Sequence, residues 1–269
     1  MSNFGKFADV AVDLKGHVAT VEIQRPPHNY FDVNLIRSLV DAFRALDDED
    51  SCRAIMLASK GRSFCAGAQL GGGDSGGANA DAAEPGPGRQ GSGHLYQEAV
   101  RLFETETPVV AAIQGAAIGG GFGLALVPDF RVACPEARFS SNFARLGFHQ
   151  GFGLTVTLPE LIGKQAAANM LLTGRRVKGE EAYELGLCDH LVPMEELRPK
   201  AMELATEIAG SAPLAVRSIR RTLRRGLADR IRIATDHELV EQDWLRKTSD
   251  FREGVRATAE RREPDFHGS

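Results

Sequence analysis

Between His17 and Gln24 the chain reads HVATVEIQ, apolar and polar positions in near alternation with several β-branched residues. That pattern predicts a strand with one buried face. RPPHNYF then breaks it with two prolines. Asp32 or Asn34 is placed to cap a helix through LIRSLVDAFRAL, where apolar residues recur at helical spacing. RAIMLAS (53–59) and PVVAAIQG (108–115) are continuous apolar runs and predict buried strands, and FRVACP (130–135) follows a short helical stretch. Strands alternating with helices predict an α/β fold with a mostly parallel sheet joined by crossovers. From Ala201 the pattern is helical almost to the end: AMELATEIAG, PLAVRSIRRTLRRGL, HELVEQDWLRKT and DFREGVRATAERR. These helices are amphipathic, so each needs a partner surface on the body or on another subunit. The pattern thus divides the chain into an α/β body over 1–200 and a helical region over 201–269.

One segment fits neither part. GGGDSGGANADAAEPGPGRQGSG (71–93) holds nine glycines and almost no bulky apolar residue. It cannot bury a core. Its position directly after an apolar turn predicts a mobile lid over a site, with a plain spacer as the other reading.

Composition narrows the function classes. The chain has 269 residues, 43% of them hydrophobic and 25% charged, with a net charge of −4. An acidic balance argues against general nucleic-acid binding. Seven arginines between Arg217 and Arg232 read as the solvated face of a helix rather than an anion site. Cys52, Cys65, Cys134 and Cys188 form no CxxC pair, so neither a disulfide framework nor a zinc site is predicted, and a reducing cytoplasm fits. The N-terminal stretch has no apolar run suited to a signal peptide, and no stretch is long enough to span a bilayer.

The candidate chemistry lies in two glycine-dense turns. GRSFCAGAQL (61–70) and AIQGAAIGGGFGLALVPD (112–129) each run from an apolar strand into small residues. Backbone N–H groups presented at such turns bind negative charge with little reorganisation, and two that converge make an oxyanion hole. Ala66-Gly67-Ala68 and Gly119-Gly120-Gly121 also let a ligand carbonyl approach closely. Other glycine motifs fail. GxGxxG begun at Gly119 or Gly121 ends on Leu124 or Leu126, and neither GxxxxGK[ST] nor GxSxG occurs. HELVE at His237 lacks the second histidine of HExxH. Close helix-on-sheet packing would explain either turn alone.

The pair, set in the rest of the chain, resembles the crotonase superfamily, the enoyl-CoA hydratase/isomerase family. The likeness runs through RPPHN (25–29), SFCAGAQL (63–70), TPVVAAIQGAAIGGGFGLALVPDFRVA (107–133), LPELIGKQAAANMLLTGRRVKGEEAYELGLCDHLVP (158–193) and DFREGVRATAERREPDFHG (250–268). It implies a crotonase-type spiral of ββα turns with a C-terminal helical oligomerisation region that assembles trimers or dimers of trimers. It implies an acyl-CoA thioester as substrate, with coenzyme A as part of that substrate and no separate cofactor or metal. The oxyanion hole would be the N–H groups of Ala68 and Gly120, holding the thioester carbonyl oxygen as it becomes an enolate. The backbone from Cys65 through Ala66 to Leu70 would contact the adenine. Arg25 and His28 match positions near the CoA phosphates, and Arg261 matches one that reaches the CoA of a neighbouring subunit. Gln69 stands where the family often has an acid.

The likeness stops at the acids. Hydratases of the family place and deprotonate water with two glutamates, and here those positions are Gly123 and Phe143. An aspartate used by other members falls on Gly151. The remaining candidates for proton transfer and substrate contact are His149, which is able to act as acid or base near neutral pH, and Tyr96, Asn142, Arg145 and Gln150. His149 reads equally as a loop-wall histidine, and Tyr96 as a core aromatic. The favoured expectation is an acyl-CoA enzyme of the hydratase/isomerase class. A CoA-thioester hydrolase, C–C hydrolase or decarboxylase using His149, or a non-catalytic acyl-CoA binder, are the alternatives.

Overall fold

The computed structural model describes residues 7–68 and 95–269. The predicted lid at 71–93, together with Gln69 and Leu70, lies outside the described residues.

The main sheet starts with a hairpin. Strands β1 (Val10–Lys15) and β2 (Val18–Ile23) pair antiparallel around Gly16-His17, with Val10 opposite Ile23. β3 (Ala54–Ser59), β4 (Val109–Ile113), β6 (Phe130–Ala133) and β9 (His190–Leu191) then add in parallel, giving the order β1-β2-β3-β4-β6-β9. β3 and β4 are buried at every position, as expected for parallel strands covered on both faces. The crossover from β2 to β3 is helix α1 (Val33–Asp47). Asp32 caps it, its carboxylate accepting from the Leu35 N–H at 2.9 Å. Val33, Leu35, Ile36, Leu39, Val40, Phe43 and Leu46 then point inward at helical spacing.

A second, three-stranded sheet stands beside the first and positions the two glycine turns. It comprises β5 (Ala116–Ile118), β7 (Arg138–Ser140) and β8 (Val177–Lys178), in the order β5-β7-β8. The short helix α3 (Gly120–Ala125) follows β5 directly. Ahead of β4 lie α2 (Leu95–Val100) and a 3₁₀ turn (101–104). A further 3₁₀ turn (144–146) precedes α4 (Leu154–Ile162), α5 (Lys164–Thr173) and α6 (Gly179–Glu184).

Helix α7 (Leu197–Ala209) begins the helical region and packs across β3, β4 and β6. The helices α8 (Pro213–Leu223), α9 (Leu227–Leu245) and α10 (Ser249–Glu260) follow, and each is fixed to the body by specific groups. On α8, Arg220 pairs with Asp129 at 2.8 Å, and Arg224, just beyond the helix, pairs with it at 3.1 Å, while Asp129 also accepts the Val109 N–H. The arginine run is therefore in part a docking face; burial pushes the Arg224 guanidinium down to about 10. α9 is held through Glu238 and Gln242. α10 rests on the 144–146 turn, where a Cβ on Gly254 would meet the Leu146 carbonyl oxygen at 2.6 Å. The rings of Phe143, Phe148 and Phe251 continue that contact, each 5.2 Å from the next. Among the described residues no helix is long and apolar enough to cross a membrane, and no cluster of His, Cys, Asp or Glu is suited to a metal.

Candidate active site

The two glycine turns are bolted together by backbone. The segment after β3 runs along β5 as a one-residue parallel bridge, Cys65 against Ala117. The Cys65 N–H donates to the Ala116 carbonyl at 2.9 Å, and the Cys65 carbonyl accepts from the Ile118 N–H at 3.1 Å. The first turn of α3 sits on that same carbonyl: a Cβ on Gly121 would lie 2.1 Å from the Cys65 oxygen, so no side chain fits there. Gly67 (φ 88°) and Gly119 (φ 57°) take left-handed backbone that a side chain resists. From the other side, residues 28–31 brace the first turn. Ala66 N–H donates to the His28 carbonyl at 3.0 Å, and Phe31 N–H donates to the Gly67 carbonyl at 3.1 Å. Gly120 and Gly121 open α3, and the first N–H groups of a helix have no partner within it.

The candidate residues divide by where this frame puts them. Asn142 reaches the second turn, its Oδ1 3.2 Å from where a Cβ of Gly119 would be. Phe143 packs beside the same glycine at 3.8 Å. Tyr96 is buried with its ring between Gly120 and Gly151; Cβ atoms there would lie 3.2 and 2.4 Å from its ring carbons. Cys65 contributes backbone only. Its thiol is fully buried, and desolvation pushes it up to about 12, which removes it as a nucleophile.

The other candidates have contacts elsewhere. Arg25 pairs with Asp9 at 2.8 Å and with the helix-capping Asp32 at 3.0 Å. His28 places Nδ1 3.4 Å from the Ser63 hydroxyl and its ring against Tyr30. Gln150 is buried and donates to the Leu171 carbonyl of α5 at 2.9 Å. Arg145 is exposed and donates to the Thr173 carbonyl. Arg261 ends α10, exposed, with φ 56°. His149 is half-buried, with Nδ1 3.1 Å from the Gln150 carbonyl oxygen and its ring 6.0 Å from that of His237 on α9.

Three residues that shape the site carry no motif. Phe152 stands in the middle of an aromatic cluster and touches Gly123. Glu238 and Gln242 of α9 hold the loop that carries Phe152. Glu238 is wholly buried and accepts from the Gly153 N–H at 2.9 Å and the Thr155 hydroxyl at 2.6 Å, so it caps α4 from a distant helix. Burial pushes its carboxyl upward from the ordinary range, against those hydrogen bonds and the nearby His149. Gln242 donates to the carbonyls of His149 and Gln150 at 3.0 Å each. A phenylalanine between two glycines (GFG, 151–153) was the one visible sign of this arrangement.

The family described as enoyl-CoA hydratase/isomerase matches residues 13–269. The chain belongs to this family. A putative enoyl-CoA hydratase of Thermus thermophilus is 34% identical over 264 residues, covering 94% of this chain and 98% of that protein. The carnitinyl-CoA dehydratase of Proteus mirabilis is 32% identical, covering 94% of this chain and 96% of its own. Among solved structures, an enoyl-CoA hydratase/isomerase from Pseudoalteromonas atlantica superposes with a TM-score of 0.84 at 26% identity, covering 96% of this chain and 100% of that one. The fold is therefore that of the crotonase superfamily, as the sequence resemblance implied.

Proposed function

We propose that this chain binds a CoA thioester with its carbonyl oxygen between the N–H groups of Ala68 and Gly120 and stabilises the enolate formed there, but hydrates enoyl thioesters poorly. The observation that carries the reading is the backbone lock between the turns: the Cys65–β5 bridge with Gly121 seated on the Cys65 carbonyl. It supports two donors fixed before substrate arrives, which is the condition for oxyanion stabilisation. One such donor is typically worth about 10²–10³ in rate, and a positioned proton-transfer group about 10²–10⁴. Gly123 and Phe143 offer no proton-transfer group at the two hydratase positions, so the first contribution stands without the second.

His149 is the candidate proton carrier for a different thioester reaction: hydrolysis, C–C cleavage or decarboxylation. What favours it is the loop that carries it, tied at two carbonyls to Gln242. The reading needs no cofactor beyond the CoA of the substrate. Homotrimers or dimers of trimers fit the apolar side chains left on the helical region, among them Leu214 and Leu223 on α8 and Ile233 on α9. Four free, buried cysteines fit a cytoplasmic setting. The test is turnover and binding of a panel of enoyl, saturated, β-keto and malonyl-type CoA thioesters. Binding with little or no hydration of crotonyl-CoA is expected; fast hydration by the natural protein would overturn the reading.

A further inference from the structure

Where Gly123 and Gly151 lack side chains, aromatic rings occupy the space. A Cβ on Gly123 would lie 2.5 Å from Cγ of Phe152, and one on Gly151 would lie 2.4 Å from Cε2 of Tyr96. Phe152 is the hub of the group. Its ring meets Phe31 at 6.2 Å, Tyr96 at 5.9 Å and Phe103 at 6.4 Å, all edge-on. Phe31 also crowds Gly120, where a Cβ would fall 2.2 Å from its Cζ. Gly120 and Gly123 are three residues apart and share one face of α3, so the rings cover that face from the proposed donor to the next turn. All four aromatic residues are buried.

The backbone of Phe152 shows that its place is enforced. Its φ is 64°, a left-handed conformation that a bulky residue adopts only when its surroundings hold it there. The surroundings are α9: Gln242 grips the carbonyls of residues 149 and 150, and Glu238 takes the N–H of residue 153. The clamp thus holds the ring against the face of α3 that carries Gly120, the proposed donor.

We propose that Phe152 determines acyl length: its ring closes the acyl end of the site, so that short-chain CoA thioesters are accepted and long chains are refused. The proposal rests on the acyl-CoA reading above. It makes a quantitative contrast, because in an open apolar tunnel each additional buried methylene raises affinity by about fourfold.

The experiment is calorimetric titration of the full-length protein and its Phe152→Ala and Phe152→Leu variants with CoA, acetyl-CoA, butyryl-CoA and octanoyl-CoA. The natural protein is expected to bind octanoyl-CoA about tenfold more weakly than butyryl-CoA. Phe152→Ala should reverse the order by at least about tenfold, with CoA itself bound as before, and Phe152→Leu should fall between. If Phe152→Ala does not fold, the shift in Phe152→Leu decides. An unchanged octanoyl-to-butyryl ratio in variants that still bind CoA would overturn the gate alone. Failure of the natural protein to bind CoA or any thioester would overturn the acyl-CoA reading and the gate with it.

Discussion

Gly123→Ala adds one methyl group at the position that the sequence resemblance matches to the first hydratase glutamate. That carbon would sit 2.5, 2.6 and 2.7 Å from Cγ, Cβ and Cδ1 of Phe152. Carbon pairs settle at about 3.5–4.0 Å, so the ring has to retreat by roughly 1 Å. It has nowhere to go, with Phe31, Tyr96 and Phe103 around it and its backbone held by α9. Overpacking of this kind costs about 1–3 kcal/mol. Replacing glycine by alanine inside a helix returns up to ~1 kcal/mol. The net expectation is a loss of about 1–2 kcal/mol, a fall in Tm of roughly 2–8 °C. In a Phe152→Ala background the methyl group has room, so the same change should become neutral or stabilising by up to ~1 kcal/mol. Urea unfolding of the four proteins of this cycle measures the coupling. Gly123→Ala at or above natural stability would refute the placement of the ring against residue 123.

Gly123→Glu alone is expected to destabilise the protein and yield no hydratase, because it adds a buried unpaired charge to the same clash; with Phe152→Ala, crotonyl-CoA hydration should rise above that of either single variant, followed as loss of the enoyl thioester absorbance. His149→Ala should lower kcat for whichever thioester of the panel is turned over and leave affinity near normal, since the proposed donors are backbone groups; equal kcat would remove His149 from the chemistry. Asp129→Ala leaves the largely buried guanidinium groups of Arg220 and Arg224 without their carboxylate and should cost about 3–5 kcal/mol in urea unfolding. Burial raises Cys65 and Cys188 to about 12 and Cys52 to about 11, against an ordinary 9.0. Folding thus keeps these thiols protonated. Their contribution to stability is full below about pH 9 and is lost as pH rises toward the folded values, and alkylation at about pH 8 should be slow until the chain unfolds.

Much of this architecture is legible from local pattern. HVATVEIQ contains β2, RAIMLAS contains β3, and Asp32 caps α1, because each depends on neighbours in sequence. The parallel order also follows from alternation of strands and helices. The three-stranded sheet does not, since its strands have two or three residues and too little length for a period to show. The glycine turns are visible as turns, but the reason for Gly121 is the Cys65 carbonyl beneath it, a contact across 56 positions (121 − 65). Phe152 was hidden for the same reason: its neighbours come from residues 31, 96, 103 and 123, and its clamp from residues 238 and 242. Removing the proposed Gly120 donor with proline would change packing as well, since its ring would meet Phe31.

The central claim, a thioester carbonyl polarised by two backbone donors, is tested most directly by isotope-edited difference infrared spectroscopy of butyryl-CoA labelled at the carbonyl carbon. Two N–H donors drawing electron density onto the oxygen weaken the C=O bond. The labelled band is expected to move to lower frequency on binding, and to do so equally in His149→Ala. A bound thioester whose carbonyl band stays at its frequency in water, or rises as it would in an apolar cavity without donors, would contradict it.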